Sequence, residues 1–375
     1  MTFPLRKFTD IVQDKSGGNK KLPQEFFLID GRYPVIDQSK KFIAGYINDQ
    51  EYLLKSTDLP VVIFGDHTKA IKFVDFPFAM GADGVKVLKP KDECDTKYLY
   101  HYLRYAKIPD AGYSRHYKFL KELEIPLPPL AEQRRIAAIL DKADELRQKR
   151  QQVIEKLDQL LQATFIDMFG DPVSNPKGWQ RIPSKNVLKI QGGYAFSSKD
   201  FSDTGIPVVK IGNANKLGFN TEKFDFITPK YPEKLTQYEL KSGDLLMSLT
   251  GTVGKDDYGN ITEVTDDYDL YYLNQRVAKL EVINPLFSKN YIRYFFSQSS
   301  IKGLITKNNR GVRQANISNT DIYELDILLP TRELLDKFDL CIKSINKMKR
   351  TFQMQLSSSN RLFNSLQNQA FSGTL

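Results

Sequence analysis

The sequence contains few of the residues that build disulfide frameworks, metal centres or membrane spans. Its only cysteines are Cys94 and Cys341, too few for a disulfide framework or a cysteine-based zinc site. The three histidines, His67, His101 and His116, are scattered without the spacing of metal ligands. No apolar run approaches the roughly 18 residues of a membrane span.

The amino-terminal segment, MTFPLRKFTD, has no apolar stretch long enough for a signal peptide. The small number of cysteines agrees with a reducing compartment. We therefore expect a cytoplasmic protein with no membrane partner.

Familiar catalytic motifs are missing as well. Residues 251–255, GTVGK, resemble the end of a phosphate-binding loop, but Leu249 replaces the first glycine and Asp256 follows the lysine. Residues 169–172, FGDP, are not the Asn/Asp-Pro-Pro-aromatic motif of amino-methyltransferases, and Gly170 is more simply a helix C-cap. We predict a binding protein with no catalytic residue and no metal or cofactor site. A nuclease site of dispersed acids and a lysine is the alternative that inspection leaves open.

Basic residues exceed acidic ones, 54 against 45, giving a formal net charge of +9. This excess favours a polyanionic partner such as nucleic acid, although basic proteins without such a partner are common. Residues 130–167 carry seven basic and seven acidic side chains. We therefore expect any nucleic-acid surface on the flanking domains. The chain, 41% hydrophobic and 26% charged, suits two or three globular domains.

The longest helical pattern begins after Pro126, Pro128 and Pro129, which cannot lie inside a helix. No Gly or Pro then occurs until Gly170, which predicts one helix of roughly 58 Å at about 1.5 Å per residue. Apolar residues recur in steps of three and four, interrupted at Arg150 and Thr164. This narrow seam needs a partner helix, and it comprises Ile136, Ile139, Ala143, Leu146, Val153, Leu157 and Leu160.

The partner helix lies in the same chain. A shift of 202 places residues 123–171 on residues 325–373 without a gap, and LEIPLPP then meets LDILLPT. Two unrelated amphipathic helices are the alternative, but the proline stops recur in step, which favours a duplication. The apolar pattern of the second copy is weaker near Gln355 and Ser359, where Leu356 fills the seam. The second seam comprises Phe338, Cys341, Ile345, Met348, Phe352, Leu362 and Leu366.

The segments before the helices repeat too. Strand-rich segments at 33–36, 58–65 and 69–80, then a helical segment at 96–106, are matched by segments at 206–213, 243–255, 271–283 and 290–298. The loops differ in length while the order is kept. The sequence thus predicts two copies of one strand-rich domain, each followed by a long helix.

Polar, glycine-flanked loops provide the candidate binding residues. Glycines let a backbone approach a phosphate closely. The side chains of Thr, His and Lys can donate hydrogen bonds to phosphate oxygens, and those of Asn, Gln and Arg can pair with base edges. An ordinary turn or a solvated loop is the alternative for each segment, but recurrence in both repeats favours binding. The candidate DNA-binding residues are Asp66, His67, Thr68, Lys69, Tyr113, Ser114, Arg115, His116, Lys210, Asn213, Thr250, Gly251, Thr252, Lys255, Asn274, Gln275, Arg276, Arg310, Arg313 and Gln314.

Residues 126–140, PLPPLAEQRRIAAIL, the continuation to FIDMFGD, and the second copy ending in FSGTL resemble the specificity subunit of type I restriction–modification systems. The resemblance covers the whole chain. It implies an α+β fold with two mixed α/β target-recognition domains, residues 1–128 and 171–328. A central helix (129–170) and a distal helix (329–375) would form an antiparallel coiled-coil spacer between them, with pseudo-twofold symmetry.

The resemblance also implies a non-catalytic DNA reader. Each domain would read one half of a bipartite double-stranded site, and the helix pair would fix the unread spacer. Two adenine-N6 methyltransferase subunits would carry S-adenosylmethionine, and restriction subunits would use ATP and Mg²⁺. Because GDHTK differs from GTVGK and GYSRHYK differs from GVRQANIS, we predict unlike half-sites. A coiled-coil scaffold without a DNA role is the alternative, but it leaves the polar loops without a purpose.

Overall fold

The computed structural model describes residues 3–55, 58–81, 84–112, 114–216, 218–253, 255–307 and 314–375. The chain divides into two compact units, Met1–Gln152 with Phe352–Leu375 (unit 1) and Val153–Thr351 (unit 2). Each unit therefore contains one strand-rich domain and one part of each long helix.

The described part of unit 1 contains ten strands and three short α-helices of its own. The strands are Leu5–Lys7 (β1), Val12–Asp14 (β2), Lys21–Leu22 (β3), Tyr33–Ile36 (β4), Gly45–Ile47 (β5), Val61–Gly65 (β6), Ile71–Val74 (β7), Ala79–Gly81 (β8), Val85–Pro90 (β9) and Glu124–Pro126 (β10). The helices are Phe8–Ile11 (α1), Thr96–Tyr105 (α2) and Tyr117–Leu120 (α3), and the long helix Leu130–Phe169 (α4) follows.

The described part of unit 2 follows the same plan with more strands. They are Gln180–Pro183 (β11), Leu188–Gly192 (β12), Phe201–Ser202 (β13), Ile206–Val209 (β14), Ala214–Asn215 (β15), Gly218–Phe219 (β16), Asp225–Ile227 (β17), Glu239–Leu240 (β18), Leu245–Ser248 (β19), Thr250–Thr252 (β20), Ile261–Glu263 (β21), Tyr271–Leu273 (β22), Val277–Val282 (β23), Gln314–Asn316 (β24) and Asp326–Leu329 (β25). Its helices are Lys289–Phe296 (α5), Ser299–Thr306 (α6) and Asn319–Tyr323 (α7), followed by Arg332–Ser372 (α8).

Corresponding strands pair in the same order in the two units. The antiparallel sheet β2-β9-β6-β7 of unit 1 matches β12-β23-β19-β21 of unit 2, and the ribbon β1-β10 matches β11-β25. The parallel pair β4/β8, with Val35 opposite Ala79, matches β14/β22, with Val208 opposite Tyr272. This correspondence confirms the predicted duplication of a mixed α/β domain.

The buried strands have apolar sequences on the faces that meet the core. β6, VVIFG, is buried at every residue because both of its edges are paired and both of its faces are covered. β7, IKFV, alternates in burial: Lys72 and Val74 are buried, while Ile71 and Phe73 are partly exposed. Ile71 and Phe73 face the side covered by α2, where the Phe73 ring lies 6.0 Å from that of Tyr100. Burial at every second residue therefore occurs in β7 but not in β6.

α4 begins and ends where the sequence predicts, whereas α8 occupies residues 332–372 of the predicted 329–375, because Leu329 belongs to β25. α4 starts directly after Pro129 and ends before Gly170, whose φ of +80° and N–H bond to Ile166 O (2.8 Å) form the C-cap. Across the described ranges, none of the helices combines the length and apolarity needed to cross a lipid bilayer.

α4 and α8 run antiparallel within each unit. In unit 1, Arg147 Nε donates to Asn360 Oδ1 (2.8 Å) and Arg150 Nη1 donates to Gln355 O (3.2 Å), so the numbering rises on one helix as it falls on the other. In unit 2, Lys349 Nζ lies 2.6 Å from Asp158 Oδ1.

One aromatic arrangement occurs in both units. Tyr98 of α2 donates its hydroxyl to Pro126 O (2.6 Å) and packs on Phe371, with ring centroids 5.6 Å apart. Tyr291 of α5 is the equivalent residue in unit 2. Its hydroxyl donates to Leu328 O (2.8 Å), and its ring packs on Phe169 with centroids 4.9 Å apart. The acceptor and the phenylalanine are each displaced by 202 residues, the shift found in the sequence.

The predicted seam register is wrong at several positions. Ile136, Phe338 and Ile345 are buried, and Ile139, Ala143, Val153, Leu157, Phe352 and Leu366 are partly buried. Exposed instead are Leu146 (44%), Leu160 (48%), Cys341, Met348 (45%) and Leu362 (55%). Buried instead are Leu161, Ile342 and Phe363, each one position after the exposed Leu160, Cys341 and Leu362. Leu140 and Ile154 are likewise more deeply buried than the predicted Ile139 and Val153 that precede them.

This shift has a physical reason. A strict heptad describes a helix that contacts only a partner helix, but each half of α4 also packs against its own domain. In unit 2, Phe165 lies 5.8 Å from Phe338 on α8 and 5.5 Å from Tyr291 on α5, measured between ring centroids. The buried face must therefore be wider than a two-helix seam and centred elsewhere.

A buried polar cluster interrupts the apolar face in unit 1. Asp144, 6% exposed, accepts from Arg104 Nη1 (2.7 Å) on α2 and from Arg147 Nη1 (3.1 Å). Burial opposes ionisation of Asp144, but the hydrogen bond from Arg104 and the charges of both arginines outweigh it and lower its pKa. Because Arg147 also binds Asn360 on α8, the cluster links three helices.

The corrected register can be tested with two neighbouring leucines. Leu161→Ala, which empties a site that is 1% exposed, should lower the free energy of unfolding by about 2–5 kcal/mol. Leu160→Ala, at a site that is 48% exposed, is the matched control and should change it by less than about 1 kcal/mol. Chemical denaturation would measure both, and equal losses would contradict the register.

Candidate nucleic-acid interface

In unit 1 the hairpin between β6 and β7 is fastened to the start of α3. Asp66, 5% exposed, accepts from the backbone N–H of Tyr117 through Oδ1 (2.7 Å). Its carbonyl oxygen accepts from the backbone N–H of His116 (2.8 Å) and from His116 Nδ1 (3.0 Å). Since a carbonyl only accepts, Nδ1 carries the proton. Asp66 and His116 therefore join two candidate loops that lie about 50 residues apart in sequence.

Thr68 closes the same hairpin. Its hydroxyl donates to the carbonyl oxygen of Gln38 and accepts from the N–H of Ala70 (3.2 Å). A Cβ at Gly65 would lie 2.3 Å from Thr68 Oγ1 and 2.7 Å from Gln38 O. The turn itself therefore requires this glycine, independently of any ligand.

The outer side of this loop pair carries the remaining candidates. Lys69 Nζ lies 3.3 Å from Asp110 Oδ2, and the backbone N–H of Gly112 together with this lysine lowers the pKa of Asp110. His67 is partly exposed, and Arg115 is exposed without an ion-pair partner among the described residues. Ser114 is partly exposed, and Tyr113 lies outside the described residues.

In unit 2 three candidate segments meet at Leu249. Its N–H donates to Arg276 O (3.0 Å) and its carbonyl accepts from the N–H of Ile317 (2.8 Å). β20 pairs with β24, so that Gly251 faces Ala315 and Thr252 faces Gln314. The segments around residues 250–255, 274–276 and 314–316 therefore form one continuous cluster, although they are up to 66 residues apart in sequence.

The GTVGK segment begins as a strand, β20, rather than as the turn suggested by sequence. Thr252 N–H donates to Asp257 Oδ1 (2.8 Å), and this bond is the main cause of the lowered pKa of Asp257. A Cβ on Gly251 would lie 2.3 Å from the same oxygen. Thr252 and Lys255 are exposed, whereas Thr250 is partly buried. Arg310 and Arg313 lie outside the described residues.

The turn between β22 and β23 presents two exposed polar side chains. Asn274 is 8% exposed, donates its N–H to Val209 O (3.1 Å) and caps the turn by accepting from the N–H of Arg276 (3.4 Å). Gln275 and Arg276 point outward and are exposed. Asn274 thus shapes the turn, and its two neighbours are available to a ligand.

Asn213 is buried inside unit 2, whereas Lys210 is partly exposed. Asn213, 5% exposed, donates to the carbonyls of Asn220 and Lys223, both at 2.9 Å, and accepts from the N–H of Lys210 (2.9 Å). Lys210 pairs with Asp225. The Asn213 amide is therefore occupied inside the fold, whereas the Lys210 side chain is 34% exposed and its contact with DNA stays a prediction.

Two residues of the clusters were missed in the sequence. Gln38 supports the hairpin of unit 1 from a loop that carries no motif. Tyr194, 42% exposed, accepts from the N–H of Gln275 (3.0 Å) through its carbonyl. The preceding Gly193 was a usable signal, because a Cβ there would lie 2.3 Å from Asn274 O.

The clusters offer hydrogen-bond donors and positive charge. In the described ranges, no group of three or more His, Cys, Asp or Glu side chains is arranged to hold a metal ion. The exposed members, Arg115 in unit 1 and Lys255, Gln275 and Arg276 in unit 2, are of the types that bind phosphates and base edges. DNA contact by these residues stays a prediction.

Comparison with known proteins identifies the family. The model of the type I restriction modification DNA specificity domain matches residues 5–156 and again residues 176–351. The chain belongs to this family. The two matches fall on the two strand-rich halves, and subunits of this kind recognise DNA rather than catalyse a reaction.

Named relatives agree with this assignment. The specificity subunit of the type I restriction enzyme MjaVIII from Methanocaldococcus jannaschii is 24% identical over 348 residues, which is 85% of this chain and 80% of that protein. The S subunit of a type I restriction-modification system from M. genitalium has the same fold, with a TM-score of 0.57 at 16% identity, covering 99% and 96% of the two chains.

A further solved chain comes from work on complex assembly and conformational transition of the type I system. It covers 100% of this chain and 98% of its own length, with a TM-score of 0.50 at 16% identity. The whole chain, including both long helices, therefore follows the fold of the specificity subunits.

Substitution of the glycine in β20 tests the geometry of the unit 2 cluster. Gly251→Ala should destabilise the fold by about 1–3 kcal/mol, because its methyl group would overlap Asp257 Oδ1. Gly212→Ala is the control, since no atom lies within 4 Å of its added Cβ. Thermal unfolding of both variants measures the difference. A Gly251 variant as stable as the Gly212 variant would show that the cluster is arranged otherwise.

Proposed function

We propose that each unit reads one half of a bipartite, asymmetric DNA site. The chain would be the sequence-recognition subunit of a type I restriction–modification complex, with no catalytic residue and no cofactor of its own. The observation that carries the proposal is the contrast between a common scaffold and unlike loops. A closed hairpin at residues 66–69 in unit 1 corresponds to the strand pair β20-β24 in unit 2.

Base reading is assigned to the exposed members of the two clusters. Arg115 in unit 1 and Gln275 and Arg276 in unit 2 are exposed. Arginine pairs with guanine and glutamine with adenine in the major groove. Lys69 and Lys255 would contact phosphates, which fix register without carrying sequence information. Asp66, Thr68, His116, Asn213 and Asn274 would act indirectly, by holding the loops in shape.

The two long helices would set the length of the unread spacer and dock two adenine-N6 methyltransferase subunits. Support comes from the large apolar side chains that both helices expose, because burying apolar surface against another protein is favourable by roughly 25 cal/mol per Å². They include Leu146, Leu160 and Leu362. S-adenosylmethionine would be bound by those methyltransferase subunits, and ATP with Mg²⁺ by separate restriction subunits.

Two arginine substitutions test the division of labour. Arg115→Ala and Arg276→Ala should each weaken binding of the assembled complex to its target by about 1–3 kcal/mol if the residue pairs with a guanine. Each should also relax the methylated motif at one position, and the two positions should lie in different half-sites.

The matched control is Lys189→Ala. Lys189 is exposed and lies 3.9 Å from Glu281, in β12 and β23 and away from the turn at residues 274–276. Its affinity and methylation pattern should match those of the unmodified protein. Unchanged affinity and motif in either arginine variant would reduce that arginine to a surface charge.

A further inference from the structure

Positive charge is divided unevenly between the two long helices. α4, residues 130–169, holds seven basic and seven acidic side chains, whereas α8, residues 332–372, holds seven basic and three acidic ones. All three acids of α8 precede residue 340, so residues 340–372 hold five basic side chains and no acidic one. Those five account for more than half of the net charge of +9. None of these five residues belongs to the loops that the proposed function assigns to DNA contact, so their positive charge has no role there.

Three of the five cations form a row on α8, which we call the basic row: Lys343, Lys347 and Arg350. All three are exposed. Spacings of four and three residues place them on one side of the helix over about 10 Å. The buried Phe338 and Ile345 occupy the opposite side. The row therefore faces away from the core of unit 2.

No described side chain neutralises the basic row. Three of the four other cations of α8, Arg332, Lys337 and Lys349, are paired with carboxylates of α8 or α4. Those pairs are Arg332–Asp336 (2.9 Å), Lys337–Glu333 (2.7 Å) and Lys349–Asp158 (2.6 Å). Adjacent like charges on a helix repel one another, so the row is unfavourable until an external anion meets it.

We propose that the basic row binds the phosphate backbone of the target duplex, at positions whose bases are not read. This inference rests on the proposed function, because it assumes that the chain holds DNA. Phosphates of one strand follow every ~3.4 Å of helix axis, so a row of about 10 Å spans roughly three of them. Lysine acts as a flexible point charge without the geometry of base reading.

A protein partner fits the row less well. Lysine is depleted in the cores of protein–protein interfaces, because desolvating its ammonium group is unfavourable. A phosphate backbone accepts such charges while they stay hydrated. The row would therefore add sequence-independent affinity to the specific contacts made by the loops.

Salt dependence measures this contact directly. The full chain in its assembled complex, carrying K343Q, K347Q and R350Q together, is titrated with the target duplex and with a random duplex of equal length. The slope of log affinity against log salt should fall by about 0.9 for each lost contact, hence by about 2.7 for the triple variant. The loss should be equal on both duplexes, and the methylated motif should not change.

A pair of single variants supplies the control. Lys347→Gln should lower the slope by about 0.9, whereas Lys337→Gln, whose charge is already paired with Glu333, should leave it unchanged. Both residues are exposed, so the single variants remain informative if the triple variant fails to fold.

An unchanged slope in the triple variant would overturn the proposal. Weaker capture of the methyltransferase subunits at an unchanged slope would overturn it too, and would make the row a protein contact. If the unmodified complex does not prefer its target over the random duplex, the proposed function fails. The slope on the random duplex still decides the role of the row in that case.

Discussion

The structure depends on the packing of each long helix against two partners at once, the other long helix and a strand-rich domain. Within either unit, one face of α4 must cover both the antiparallel stretch of α8 and the helix of the neighbouring domain. In unit 2, Phe165 and Phe169 meet Phe338 and Tyr291 at ring-centroid distances of 4.9–5.8 Å. Because the Tyr291 hydroxyl also donates to Leu328 O, shortly before α8 begins, the domain and α8 are held together within unit 2.

This fixed scaffold leaves the loops free to differ. The same strand order and the same tyrosine anchor occur in both units, while the polar connections do not match: unit 1 closes a hairpin on Gln38, and unit 2 adds β20 and β24. The side chains of Asp66, Thr68 and Asn274 hydrogen-bond to backbone groups of these loops, and the exposed side chains can face a ligand. A protein that presents two unlike surfaces on two equal supports suits a target with two unlike halves.

The sequence predicted the features that depend on local chemistry and repetition. Proline and glycine mark both ends of α4, and the shift of 202 residues relates Phe169 to Phe371 in contact as well as in sequence. The seam was shifted by one residue, from Leu160 to Leu161, because a heptad rule ignores the domain that packs on the same helix. Tertiary hydrogen bonds, such as those of Asp66 to residues 116 and 117, have no local signal.

The most direct test of the central claim is a genome-wide map of adenine methylation in the source cells, with and without this gene. The account predicts that deletion removes one gapped motif, whose two half-sites differ. Loss of a palindromic motif would contradict the proposal that the two units read different sequences. An unchanged map in cells that methylate a gapped motif would contradict a role in sequence recognition altogether.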